Sequence, residues 1–117
     1  MSKRIDSVYL TDMLTYARRA VERVHGLSRE DFDENKTVQD ALAYNIMVIG
    51  EAATKLSAEF QAAHPEVPWI DVRNMRHRIV HGYISLDHEK LWSVVDDDIP
   101  RLIESLLKMI DEPDPAP

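Results

Sequence analysis

Between positions 76 and 83 the chain reads Arg-His-Arg-Ile-Val-His-Gly-Tyr, which brings two guanidinium groups, two imidazoles and a phenol together over eight residues. A guanidinium grips two phosphate oxygens at once and offsets charge building on them, and an imidazole gives or takes a proton near neutral pH, a contribution of about 10²- to 10⁴-fold. Arg76 and His81 are therefore the minimum needed to cut RNA without a metal, by attack of a ribose 2′-hydroxyl on its own phosphate. Spacing alone leaves other readings open. Arg76 and His81 are equally a helix-end cation and a solvated histidine. His77 and His81, four apart, suit two zinc ligands, with Asp87, His88 or Glu89 as a third, although no complete ligand motif accompanies them. Tyr83 is also an amphipathic cap whose ring packs while its hydroxyl stays wet.

Arg76 and His81 are five positions apart, which places them about 140° apart on a regular helix. They would not share a face. Either the helix unwinds around Val80 to Gly82 and turns His81 back, or two chains complete one site across a symmetric interface. The reading adopted here combines the two, with pairing near the third and fourth helices.

The elements that must hold this segment are read from apolar periodicity. Ile5, Tyr9, Met13, Tyr16, Ala20 and Val24 form one helical stripe that Gly26 stops. After an acidic connector from Ser28 to Asn35, Val38, Leu42, Ile46, Ile49, Ala53, Leu56 and Phe60 repeat the pattern as a second helix. Pro68 and Trp69 open a third, with Val72, Met75 or Arg76, and Ile79 on its inner face and Gly82 as its close. Asp87 caps a fourth, in which Trp92, Val95, Ile99, Leu102, Leu106 and Ile110 face inward and Pro100 introduces a kink. No useful stretch alternates with period 2. The fold class is all-α, an antiparallel four-helix bundle.

At 117 residues the chain has room for one domain, expected over 1–112, with 113–117 a flexible proline-rich tail. It has no cysteine, which excludes disulfides, a thiolate nucleophile and cysteine-based metal sites. The net charge of −7 opposes coating of nucleic acid by bulk charge, yet residues 73–83 carry Arg73, Arg76, Arg78, His77 and His81 with no acid. No apolar run is long enough to span a membrane and no signal-like stretch follows the first residues, so a cytoplasmic protein is expected.

Arg76, four residues, His81, one residue and Tyr83 match the R-x4-H-x-Y form of the HEPN superfamily motif. The wider pattern resembles the HepT-type toxins: Ile49-Gly50-Glu51-Ala52-Ala53, Val67-Pro68-Trp69-Ile70, Met75-Arg76, His81-Gly82-Tyr83, and Trp92 with Ile99-Pro100. It extends over residues 5 to 110. The resemblance implies a dimeric, metal-independent endoribonuclease of a type VII toxin–antitoxin system, with RNA as substrate and no cofactor. It also implies a minimal nucleotidyltransferase antitoxin that silences the toxin by attaching AMP to the motif tyrosine. Arg76 and His81 are then catalytic and Tyr83 is the AMPylation site. His77 stands where asparagine is common in the family, so it can tune activity. The alternative is a catalytically silent helical module that binds the nucleotidyltransferase or nucleic acid.

Other residues are read as support. Gly50 costs about 1 kcal/mol in mid-helix relative to alanine and so marks a close helix approach. Glu51 is either solvated or paired with Arg73 or Arg76, and Arg78 adds charge beside the motif. Trp69 and Trp92 belong to core or interface. Asp96-Asp97-Asp98 forms a solvated face or meets a basic partner.

Overall fold

The computed structural model describes the backbone of residues 2–81 and 85–110 and the side chains of residues 5–80 and 85–110. Among the described residues, eight α-helices run in the order α1 (Ser2–Val24), α2 (Arg29–Glu34), α3 (Lys36–Lys55), α4 (Ala58–Ala63), α5 (Trp69–Arg73), α6 (Met75–Ile79), α7 (His88–Ser93) and α8 (Ile99–Ile110). A two-stranded ribbon, β1 (Val80–His81) and β2 (Ser85–Leu86), lies between α6 and α7, and a π-helical turn (Val94–Asp98) joins α7 to α8. The architecture is an all-α bundle in which α1 packs along α3 and α8, while α5 and α6 lie on α3. One continuous core contains Met13, Phe32, Leu42, Ile46, Ile49, Ile79, Leu91, Ile99 and Leu106.

Of the four helical segments that periodicity predicts, three are subdivided. Gly26 does end the first helical segment, in the left-handed region at φ 81°. The buried stripe of α1 is offset from the one expected. Asp6, Leu10, Met13, Ala17 and Ala20 are inside, whereas Ile5 is 44% exposed. The connector from Ser28 is a helix of its own, opened by a capping box in which Ser28 Oγ accepts from Asp31 N and the Asp31 carboxylate accepts from Ser28 N.

The second helix does not run through to Phe60. It breaks at Leu56, whose backbone is extended, and restarts after Ser57, which caps α4 by accepting from Phe60 N. The break is held from outside by the buried Asp6, whose carboxylate accepts from Ser57 N at 2.8 Å and Ser57 Oγ at 2.7 Å. Periodicity cannot see this, because Leu56 keeps its apolar phase on either side of the break. In the fourth segment Asp87 caps as expected, accepting from Lys90 N. Pro100 is accommodated by the π-helical turn ahead of it, where Ile99 N–H donates to Val94 O. A widened turn relieves the missing proline donor without ending the helix. The tail at 113–117 lies outside the described residues.

Candidate functional site

The motif segment sits where the third helix fails to continue. Trp69 is buried with its indole Nε1 donating to His64 O at 2.9 Å, which anchors the start of α5. α5 ends at Arg73, and Asn74 separates it from α6. On α6, Met75 and Ile79 are buried and Arg76, His77 and Arg78 are exposed, so the inner-face position left open between Met75 and Arg76 belongs to Met75. The helix stops at Ile79, before Gly82. Val80 is already extended at φ −96°, ψ 121°, and its N–H donates to Arg76 O. The chain then pairs in antiparallel register, Val80 with Leu86 and His81 with Ser85, and Asp87 N donates to Ile79 O at 2.7 Å.

The helix therefore unwinds at Val80, as one of the two geometric solutions required, and the 140° separation of Arg76 and His81 no longer applies. The same change removes the zinc geometry. His77 is helical and His81 is in a strand, so they are not two ligands one turn apart on a helix. Among the described residues no group of three histidine, aspartate or glutamate side chains comes together as a metal site. The side chain of His81, and Gly82, Tyr83 and Ile84, lie outside the described residues, and with them the juxtaposition of His81 and Tyr83 with Arg76.

Two supports of the segment are well defined. Gly50, on α3, lies under the end of α5, where an added Cβ would come within 3.3 Å of both Val72 O and Arg73 O. Backbone oxygens cannot swing aside as a flexible side chain does. Gly50→Val should push α5 and α6 off α3, destabilise the fold by about 1–3 kcal/mol, and lower the midpoint of a urea unfolding curve; an unchanged midpoint would contradict the contact. The second support is Arg73, which is half-buried and donates from Nη1 to Gln61 Oε1, while Gln61 Nε2 donates to Leu56 O at 3.1 Å. Arg73 is thus turned toward α4 and the end of α3 rather than toward Glu51, which is exposed.

Charge is distributed unevenly around α6. Arg76 and His77 have no ion-pair or hydrogen-bond partner among the described residues. Arg78 Nη2 lies 2.8 Å from Asp98 Oδ2, and this pair lines a groove of about 710 Å³ between α5–α6 and α8. Of the acidic run expected as one solvated face, Asp96 is exposed, Asp97 pairs with Arg101 at 3.1 Å on the surface, and only Asp98 turns inward. Elsewhere on the groove, a hydrogen bond from its own backbone, aided by His64, holds the Glu66 carboxyl below the usual carboxylate range. Trp92 is half-buried against Phe32, with ring centroids 5.0 Å apart, and serves as packing.

The short helix α6 thus carries Arg76 on its exposed face and gives way to extended chain one residue before His81. The family described as ribonuclease HepT-like matches residues 13–109. The chain belongs to this HepT-like HEPN family. A protein of Methanocaldococcus jannaschii named "Putative RNase MJ1380" is 30% identical over 102 residues, which is 87% of this chain and 94% of that one. "Probable ribonuclease HepT" of Thermococcus cleftensis is 34% identical over 100 residues, 86% of this chain and 91% of that one. No solved structure matches the chain. In this HepT-like chain the activity to be explained is of ribonuclease type, and no helix among the described residues is long and apolar enough to cross a membrane.

Sequence reasoning missed Asp6, Gln61 and Asp98. Nothing local signals that Asp6 meets Ser57, that Gln61 meets Arg73 or that Asp98 leaves its neighbours and turns inward.

Proposed function

We propose that the protein is a metal-independent endoribonuclease toxin whose site is built from Arg76 and His81 and whose activity is controlled at Tyr83 by a minimal nucleotidyltransferase antitoxin. The observation that carries this reading is Arg76 itself: exposed, unpaired among the described residues, and five positions ahead of His81 in a chain of the HepT-like ribonuclease family. A guanidinium left without a carboxylate partner at a helix end is set to receive a phosphate. His81 transfers a proton at the 2′-hydroxyl or at the leaving oxygen. The 2′-oxygen bonds to phosphorus as the bond to the 5′-oxygen breaks, leaving a 2′,3′-cyclic phosphate and a 5′-hydroxyl. The substrate supplies its own nucleophile, which is why a metal-bound water is not needed. Two copies paired near α5–α6 and α7–α8 bring two motif segments together as a local cationic cleft in an acidic protein.

Incubating the purified protein with total RNA in excess chelator, then sequencing and chemically typing the new ends, tests this reading. Cyclic phosphate and 5′-hydroxyl ends formed in chelator are the expected result. Cleavage that requires added magnesium or zinc, or ends bearing 5′-phosphate, overturns it. The silent binding module remains the second reading because His77 replaces the usual asparagine; RNA binding without any cleavage would favour it.

A further inference from the structure

α6 has only five residues, too few to be stable by its own hydrogen bonds. Its orientation must come from what it touches. Met75 and Ile79 are its buried residues, so the side chains that flank this seam help to set its roll. Arg76 and Arg78 are two residues apart, about 200° around the axis, so they flank that seam on opposite sides. Whatever fixes Arg78 sets the roll that Arg76 shares.

Arg78 is fixed by Asp98. The Asp98 Oδ2 atom is enclosed, and its 2.8 Å contact with Arg78 Nη2 is an ion pair rather than a directed hydrogen bond. Asp98 closes the π-helical turn between Val94 and Val95, both buried, and Ile99, also buried, so it stands at the border of the packed face and cannot easily move away. We infer that Asp98 is a positioning residue: through Arg78 it sets the roll of α6, aims Arg76, and steadies the exit of the chain toward His81. The same pairing offsets the Arg78 charge, which leaves Arg76 as the phosphate-gripping arginine of the segment. This inference rests on the ribonuclease reading for its effect on turnover, but its effect on α6 is independent of that reading.

Asp98→Asn keeps the side chain's shape and removes its charge, so the two roles separate. Single-turnover cleavage of a short unstructured RNA should slow by about 10- to 100-fold, since misplacement of a reacting group by about 1 Å has effects of that order. Binding of the same RNA should strengthen and its salt dependence steepen, by about 0.7 in log K per log salt for one newly released cation on a single strand. A purely structural defect would weaken both. The charge swap Arg78→Asp with Asp98→Arg should recover at least tenfold of the lost rate over the poorer single variant. In parallel, hydrogen exchange at the Val80 and Asp87 amides, which report the end of α6 and the ribbon, should accelerate about tenfold or more in Asp98→Asn while α1 and α3 are unchanged. Unchanged exchange at these two amides overturns the inference, as does cleavage within twofold of the parent or a swap with no recovery. If the parent protein cuts no RNA, the ribonuclease reading fails instead, and the amide exchange alone decides whether Asp98 positions α6.

Discussion

Arg76→Ala should abolish RNA cleavage, with a loss of about 10²- to 10³-fold for removing one group that stabilises developing charge, and His81→Ala should cost about 10²- to 10⁴-fold for removing a proton-transfer group. The folded state should be little affected by the arginine change, because Arg76 is exposed and makes no ion pair among the described residues. Unchanged thermal melting with lost cleavage is therefore the expected pair of results. Arg76→Lys is the more discriminating variant. Lysine keeps the charge but loses the planar fork that holds two phosphate oxygens, so it should recover binding more than turnover. Full turnover in that variant would mean that Arg76 acts through charge alone, and full turnover in Arg76→Ala would remove it from the mechanism.

Under the proposed control at Tyr83, Tyr83→Phe should remain an active ribonuclease but escape silencing by a nucleotidyltransferase antitoxin. In the proposed mechanism the phenol takes no part in proton transfer, so any growth arrest that the parent causes on expression should persist. An AMP group on Tyr83, two positions beyond His81 in the sequence, would add phosphate charge and a purine to the motif segment and should repel RNA by like charge and by bulk. With phenylalanine there is no acceptor oxygen, and co-expression of the nucleotidyltransferase should no longer rescue growth. Mass spectrometry of the parent after incubation with the partner, ATP and magnesium should show an AMP adduct on the Tyr83 peptide. Silencing without such an adduct would place control elsewhere.

The two predictions differ in what they require of the fold. In the proposed mechanism the first depends on how α6 is aimed, and so on Gly50 beneath α5, on Arg73 held by Gln61 and on Asp98 beside Arg78. The second depends only on a hydroxyl within reach of a partner enzyme. A variant of Gly50 or Asp98 should therefore lower cleavage while leaving Tyr83 a substrate for the nucleotidyltransferase.

The sequence by itself determined the all-α class, the helical stop at Gly26, the cap at Asp87, the close approach at Gly50 and the motif from Arg76 to Tyr83. Each is a local fact: apolar spacing follows the turn of the helix, a capping side chain reaches only three residues, and a glycine in mid-helix needs a neighbour close by. Tertiary structure decided where the helices break. Leu56 holds the apolar phase of an unbroken helix, and it is Asp6, some fifty residues earlier, that stabilises the interruption by binding Ser57. Likewise Val80 is a residue that helix and strand both accept, and the pairing with Leu86 and the bond from Asp87 to Ile79 draw it into a ribbon. Asp98 carries no local mark to distinguish it from Asp96 and Asp97; a widened turn ahead of Pro100 and an arginine on another helix turn it inward. Spacing along a chain records which residues share a face, whereas the partner of a polar side chain depends on elements far away in sequence.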